Sequence, residues 1–238
     1  MSGALAGRTA VVTGASRGIG RAIARGLAAA GARVAMIARS AELLHAEARA
    51  IGDLALALPC DVSDETAVQR AVAGIERALG VPHLLVSSAG MFHLEPVATT
   101  TEAAFTTLLE TNLLGPFRFM RAFLPRMTAR GDGHVITIGS IADRATFAGN
   151  GAYAASKFGL RALHQVLREE LRGTGVRATL VSPGPVDTAL WDALDPDTRP
   201  GFTPRARMLS ADAVAAAVVW AAGQPATVNI DELRLSHS

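Results

Sequence analysis

The sequence predicts an α/β fold: a doubly wound, parallel sheet of about seven strands with helices on both faces. Three observations carry this. Short β-branched or apolar runs alternate with longer Ala/Leu/Arg segments along the chain, which is the order of repeated βα units. The strand segments are apolar on both faces, as in a sheet buried between two helix layers rather than one with a wet side. The chain has 238 residues, 50% of them hydrophobic and 18% charged, a size and composition that suit one globular domain over residues 1–238 and argue against disorder.

Taken in order, residues 9–14 (TAVVTG) read as a buried strand, and the following GRAIARGLAAAG as a helix ended by Gly31, where a C-terminal glycine cap fits. RVAMIA is the second strand, 41–51 the second helix and LALALPCDV the third strand. Residues 64–79 form a helix opened by Ser63 or Asp64 as N-cap, with Asp64 and Glu65 suiting the positive end of its dipole. HLLVSSAG is the fourth strand. Residues 101–128 read as helical, with Pro116 expected to bend or interrupt them. HVITIGS is the fifth strand, 152–173 a helix and VRATLVSPG the sixth strand; a helix at 210–222 and a strand near 228–235 close the chain. One long irregular stretch remains, 189–209, and an insertion of that size in a compact domain is usually functional. In open α/β sheets ligands sit beyond the carboxyl ends of the strands, so the residues after each strand are the candidates for chemistry.

Bulk charge excludes several classes of function. The formal net charge is only +2 although the pI is near 9.3, because almost nothing titrates between the histidines and the arginines. The arginines are scattered among acids rather than gathered, so no nucleic-acid partner is indicated. Cys60 stands alone, which rules out an intrachain disulfide and suits a reducing compartment. No basic start followed by an apolar run marks a signal peptide. The apolar stretch AVAAAVVWAAG falls short of the ~20 residues that span a bilayer. A cytoplasmic protein without a membrane partner is expected.

The first strand runs into TGASRGIG, residues 13–20, where Gly14, Gly18 and Gly20 are spaced G-x3-G-x-G at a strand-to-helix turn. Such a turn lets a pyrophosphate approach the backbone and the free N–H groups of the helix N-terminus, although an ordinary glycine-rich βα turn has the same look. At the end of the second strand, where an NAD site usually carries an acid for the ribose 2′-hydroxyl, stand Ala38, Arg39 and Ser40. Arg17 lies in the glycine loop on the same side. Two guanidinium groups and a hydroxyl suit a 2′-phosphate, hence NADP(H) in preference to NAD(H); solvated surface arginines are the plainer alternative.

Residues 151–159, GAYAASKFG, hold the only tyrosine and the only lysine of the chain, four positions apart and so on one helix face. Arginine replaces lysine everywhere else, which marks Lys157 as a place that needs a compact point charge on a flexible stem. To exchange protons near neutrality, a phenol must come down roughly two or three units from a pKa of about 10, about 3–4 kcal/mol. An ammonium about 4 Å away at an effective dielectric near 20 supplies about 4 kcal/mol. The expectation is therefore that Lys157 acidifies Tyr153.

Thr13, Gly14, Gly18 and Gly20, with Tyr153 and Lys157 after the fifth strand, resemble the short-chain dehydrogenase/reductase family and its T-G-x3-G-x-G fingerprint. The likeness extends from about residue 8 to at least residue 190. It implies a Rossmann-type domain and a catalytic tetrad of Asn112, Ser140, Tyr153 and Lys157, with Ser140 orienting the substrate oxygen and Asn112 holding a water that links Lys157 to solvent. It implies that Ser16 and Ile19 join Gly14, Arg17, Gly18 and Gly20 around the cofactor and that Asp61 and Val62 lie beside the adenine. Ala89 and Gly90 would approach the cofactor closely. In SPGPVDT, residues 182–188, Pro183, Gly184, Val186 and Thr188 would meet the nicotinamide amide and phosphate. One departure is SSAG at 87–90 where relatives have N-N-A-G, so a bracing bond from Ser87 would be shorter or water-mediated.

The function so implied is NADPH-dependent, reversible reduction of a carbonyl to an alcohol, with Tyr153 as general acid/base. A nucleotide-binding sensor or scaffold without chemistry, and an epimerase or dehydratase on the same site, are the alternatives. No metal-ligating spacing occurs among the six histidines and one cysteine. His93 could line the pocket but is read as solvated. Leu190, Trp191, Leu194, Phe202 and Met208 make 189–209 an apolar substrate loop over an apolar or mixed substrate, unless they merely pack on one another. Helices 103–127 and 152–171 carry apolar residues on more than one face, which suits a homodimer or homotetramer. The C-terminus lacks the final glycine-rich segment of many tetrameric relatives.

Overall fold

A computed structural model describes residues 3–238. Its strands are β1 (Thr9–Thr13), β2 (Arg33–Ala38), β3 (Ala55–Pro59), β4 (Leu84–Ser87), β5 (Gly133–Ile138), β6 (Val176–Pro183) and β7 (Glu232–Leu235). They form one sheet in the order β3-β2-β1-β4-β5-β6-β7, with every neighbouring pair parallel. The helices are α1 (Gly18–Ala29), α2 (Ala41–Ile51), α3 (Glu65–Leu79), α4 (Glu102–Leu109), α5 (Gly115–Arg130), α6 (Gly151–Glu170) and α7 (Ala211–Ala222). This is the doubly wound Rossmann-type architecture.

Alternation along each strand divides the core. Ala10, Val12, Val34, Met36, Val86, Ile136 and Val181 face α1, α2 and α7, while Val11, Ala35, Ile37, Leu85, Val135 and Ala178 face α3, α5 and α6. β1 is completely buried, as an apolar strand flanked by neighbours on both sides should be. β3 and β7 are sheet edges and remain half-buried despite similar sequences. The chain builds outward from β1 to β3 and then returns to β4 on the other side of β1. The loops after β1 and β4 therefore part, and the crevice between them is where such sheets bind ligands.

Asp64 is the N-cap of α3, its carboxylate accepting from Thr66 N–H at 2.8 Å and Ala67 N–H at 3.1 Å. The expected helix over 101–128 is instead two helices joined by a π-helical turn at Glu110–Leu114. The backbone stays right-handed helical through Leu109, Glu110, Leu114 and Gly115, so the run is continuous, and Pro116, which has no N–H to donate, directly follows the widened turn where an interruption is expected; Pro125 sits within α5 without ending it. The widened turn contains Asn112, and π-turns of this kind concentrate at functional sites. Among the described residues no helix is long and apolar enough to cross a membrane.

Candidate active site

At the carboxyl ends of the strands a cleft of about 280 Å³ runs from the glycine loop to the start of α6. Its floor at one end is backbone. Gly14 has φ +70°, and a side chain there would come within 2.8 Å of Ala89 Cα; one on Gly20 would strike the Gly14 carbonyl. Only glycine lets the chain turn this tightly here. The turn opens α1, whose N-cap residue Arg17 makes no side-chain cap and whose first turn holds no acid. α3, α4 and α7 are all capped, by Asp64, Thr101 and Ser210. The first N–H groups of α1 thus face the cleft uncapped, as an anion site requires. Thr188 closes over them: its Cγ2 lies 3.2 Å from where a Gly18 side chain would begin. A dinucleotide pyrophosphate fits this cradle.

Next along the cleft come Ala38, Arg39 and Ser40, then Asp61 and Val62. Arg39 is exposed and stands 3.8 Å from the Asp61 carboxylate. Burial would raise the Asp61 carboxyl, but hydrogen bonds from the Ser63 N–H and hydroxyl (2.9 and 2.6 Å) and the charges of Arg39 and Arg118 outweigh it and hold it below its usual value. No acid follows β2, so two guanidinium groups face this end of the cleft.

The loop after β4 is braced from β1. Thr13 Oγ1 accepts from Ser88 N–H and Ala89 N–H, both at 3.0 Å. The hydroxyls of Ser87 and Ser88 are buried without a protein partner. Ser87 makes no direct brace to another side chain, and Thr13 of the neighbouring strand holds the loop instead.

At the other end, Asn112 joins two elements. Its Oδ1 accepts from Met91 N–H at 2.8 Å, and its Nδ2 donates to the Met91 carbonyl and to Ser156 Oγ, both at 3.0 Å. Ser156 in turn donates to the Tyr153 carbonyl at 2.7 Å. The Lys157 ammonium donates to the Ile138 carbonyl at 3.1 Å and lies 5.8 Å from the Tyr153 ring centre. Burial lowers its pKa to about 8 against the opposing pull of Asp143, so it is charged at neutral pH. Burial also raises the Tyr153 hydroxyl; the Ser140 side chain, hydrogen-bonded to it, pulls the other way, and the Asp143 carboxylate pushes it further up. In the cofactor-free protein burial thus holds the phenol above its ordinary value; the expected acidification by Lys157 counts on the positive ring of an oxidised nicotinamide to complete it. The Lys157 ammonium is held by the strand carbonyl, and desolvation is the largest influence on the phenol.

Asp143 was not singled out by the sequence. It is fully buried in a short 3-10 turn (Ile141–Asp143) that Ser140 caps by accepting from Ala142 N–H at 3.1 Å. Ser182 donates to it at 2.5 Å and Arg144 Nε at 2.7 Å, and Arg144 also pairs with Glu232 of β7. A side chain on Gly139 would meet Asp143 Oδ2 at 2.8 Å. The carboxylate thus lies directly behind the backbone that joins the Ile138 carbonyl to Ser140.

The wall beyond Tyr153 is apolar. Phe92 meets the Tyr153 ring edge-on at 4.7 Å and Trp191 at 5.1 Å, and Trp191 rests against Phe202 at 6.3 Å.

A family profile for short chain dehydrogenases matches residues 8–199. The chain belongs to the short-chain dehydrogenase family. It is 39% identical over 233 residues to an uncharacterized oxidoreductase of Mycobacterium tuberculosis, covering 95% of this chain and 89% of that one. It is 37% identical over 237 residues to a glycine betaine reductase of Emericella nidulans; that match covers 97% of this chain but spans only 19% of the length of that relative. A crystal structure of a metagenomic short-chain oxidoreductase in complex with NADP superposes with a TM-score of 0.84 at 36% identity, covering 99% of this chain and 100% of the other.

In this short-chain dehydrogenase the structure brings nearly all the residues chosen from sequence to one cleft. Gly14, Ser16, Arg17, Gly18, Ile19, Gly20, Arg39, Ser40, Asp61, Val62, Gly90, Ser140, Tyr153, Lys157, Pro183, Gly184, Val186 and Thr188 all line it. Two stand behind it. Ala89 packs under Gly14, and Asn112 is completely buried at the back of Gly90. His93 is exposed and pairs with Glu95 at 3.3 Å, away from the lining. Sequence reasoning missed Met91, Phe92, Ile141, Asp143 and Phe147. Phe92 could have been found as a large apolar residue two positions after the fourth strand's Gly90; Asp143 gives no signal before folding.

Proposed function

We propose that this short-chain dehydrogenase reduces a carbonyl to an alcohol with NADPH, reversibly. One observation carries the reading: Tyr153, the only phenol of the chain, stands beside Ser140 and the Lys157 ammonium at the meeting point of a glycine-lined anion cradle and an apolar wall. Bound in the cradle, NADPH supplies the hydride that reaches the carbonyl carbon. Ser140 orients the carbonyl oxygen and Tyr153 gives its proton to it. In the reducing direction the phenol starts protonated, as a proton donor must. Lys157, charged at neutral pH, would hold the ribose, and in the oxidising direction it would lower the phenol together with the positive ring of NADP+. Asn112 fixes Met91 and the start of α6, and with them the walls of the site.

Arg17, Arg39 and Ser40 support NADP(H) over NAD(H), since guanidinium groups bind phosphate in bidentate fashion and the position directly after β2 holds no acid for a ribose hydroxyl, the nearby Asp61 carboxylate being paired with Arg39 and Ser63. Segment 189–209 is read as the substrate loop. Exposed Phe105, Phe117, Phe158 and Val166 on α4, α5 and α6 support a homodimer or homotetramer built through these helices. The test is NADPH oxidation against a panel of ketones, aldehydes and 3-oxo esters. Turnover that depends on Tyr153 supports the reading. Near wild-type turnover in Tyr153→Phe, or no oxidation with any carbonyl, overturns it.

A further inference from the structure

The half of the cleft that would receive the substrate has no charge of its own. The ionisable side chains that line the cleft are Arg17, Arg39, Cys60 and Asp61 at the cofactor end, and Tyr153 and Lys157 at the centre. Beyond Tyr153 the walls are Met91 and Phe92 after β4, Ile141 and Phe147 after β5, and Leu190 and Trp191 of the 189–209 segment. The one polar atom of Trp191 is already engaged, its indole N–H donating to the Val186 carbonyl at 3.0 Å. The charges of the 189–209 segment lie outside the lining: Arg205 pairs with Asp187 and Asp192 at 2.7 and 2.6 Å and its N–H donates to Asp197 at 2.8 Å, while Arg199 stands over the Phe202 ring at 5.8 Å.

Ile141, Phe147 and Leu190 leave 50%, 50% and 40% of their surface exposed at this mouth. Clustered exposed side chains of this size mark a ligand groove. A substrate carboxylate or phosphate held among Met91, Phe92, Phe147 and Trp191 would lose water there, and the one lining cation near it, Lys157, already donates to the Ile138 carbonyl, which makes such burial unfavourable. An aryl group would instead extend the edge-to-face cluster of Phe92, Trp191 and Phe202.

We propose that the substrate is an uncharged carbonyl compound with an aromatic group beside the carbonyl, such as an aryl ketone or aryl 2-oxo ester, and that the site rejects the corresponding 2-oxo acid. The proposal rests on the carbonyl-reductase reading for its chemistry but on the pocket wall for its specificity, so the two are tested separately.

Trp220, the other tryptophan, is on α7 and outside the cleft lining. Trp220→Phe therefore leaves Trp191 as the only indole reporter. Its fluorescence is titrated with methyl benzoylformate and with benzoylformate, which differ in charge but share the aryl ketone, and with betaine aldehyde as a cationic carbonyl that aromatic rings could attract. The expected result is a dissociation constant for the ester at least ~10-fold below those of the other two. Placing a cation at the rim with Ile141→Arg should narrow or reverse the difference between ester and acid. Equal or tighter binding of the acid or of betaine aldehyde, or no response to the ester, overturns the proposal. NADPH oxidation is read in parallel. A kcat/KM for the acid equal to or above that for the ester also overturns it. An ester that binds as expected but drives no NADPH oxidation confirms the pocket assignment and defeats the carbonyl-reductase reading instead.

Discussion

The two ends of the cleft are built on opposite principles. The cofactor end is backbone and charge: three glycines, the uncapped start of α1, and Arg17 and Arg39. The substrate end is side chain and apolar: Phe92, Phe147 and Trp191, drawn from three loops far apart in sequence. One end offers hydrogen-bond donors to an anion in a geometry that the chain cannot alter without losing its turn. The other offers surface, which any of several residues could supply. Tyr153 stands where they meet, its ring packed on Phe92 of the apolar wall and its hydroxyl among Ser140 and the charges of Lys157 and Asp143. The lesson is that the reaction type is carried by the rigid half and the substrate choice by the adaptable half.

That division can be broken from either side. The largest effect is expected at the junction. Tyr153→Phe should lower kcat by about 10²–10⁴-fold, the range lost with a general acid, while leaving the Trp191 fluorescence titration with methyl benzoylformate nearly unchanged. Steady-state and binding measurements on the one variant separate the two halves directly; loss of both together would show that they are not independent.

Arg39→Ala acts on the cofactor half alone. It should weaken NADPH binding by about 10–100-fold, as expected when a charge-assisted bond of roughly 1.5–3 kcal/mol is lost. NADH binding should change little. Calorimetric titration with both dinucleotides checks this, and equal effects on the two would remove the argument for a 2′-phosphate site.

Asp143→Asn tests the support behind the junction. The carboxylate raises both the Tyr153 phenol and the Lys157 ammonium, so its removal should lower both and move the alkaline limb of the pH–kcat/KM profile toward acid. Leaving Arg144 with only Glu232 will also cost stability, but a purely structural role would lower Tm without moving the profile. Ser182→Ala, which removes a neutral partner of the same carboxylate, should affect Tm and leave the profile in place.

The smallest effect concerns the sheet beneath the site. His134 and His164 are buried against Thr179 and Thr137, at 2.7 and 2.9 Å, and desolvation lowers them from 6.5 to about 3 and about 4. Below pH 6.5 the unfolded chain takes up protons that the folded chain refuses, so stability falls as pH drops. Each histidine contributes a slope of up to about 1.4 kcal/mol per pH unit. Tm measured between about pH 6.5 and 5, above the range of most carboxylates, should decline in the wild type and decline less in His164→Gln. A flat wild-type profile would show that these imidazoles accept protons in the folded state.

How much of this could be read in advance follows the same division. Gly14, Gly18 and Gly20 were legible because a tight βα turn fixes both residue type and spacing locally. Tyr153 and Lys157 were legible because four helical positions place them on one face. Their energetics were not: the reach of Lys157 to the Ile138 carbonyl, and the burial that raises the phenol, depend on how α6 lies on β5. An interruption near Pro116 was legible, but its form, a π-turn at Glu110–Leu114, was not, since periodicity cannot register one extra residue in a turn. Phe92 carried a local signal in its place after the fourth strand, but Phe147 and Asp143 join it only through tertiary packing, and no short-range pattern announces them. β3 and β7 looked like buried strands because local hydrophobicity does not reveal an edge.

The account turns on the ionisation of one phenol. With a single tyrosine in the chain, the ultraviolet absorbance of phenolate reports Tyr153 alone, and a pH titration with and without saturating NADP+ measures it. The account predicts ionisation above the reference value of 10.0 in the cofactor-free protein and a clear fall when NADP+ is bound. Ionisation at or below that of a free phenol without cofactor, or a titration that NADP+ leaves unmoved, would contradict it.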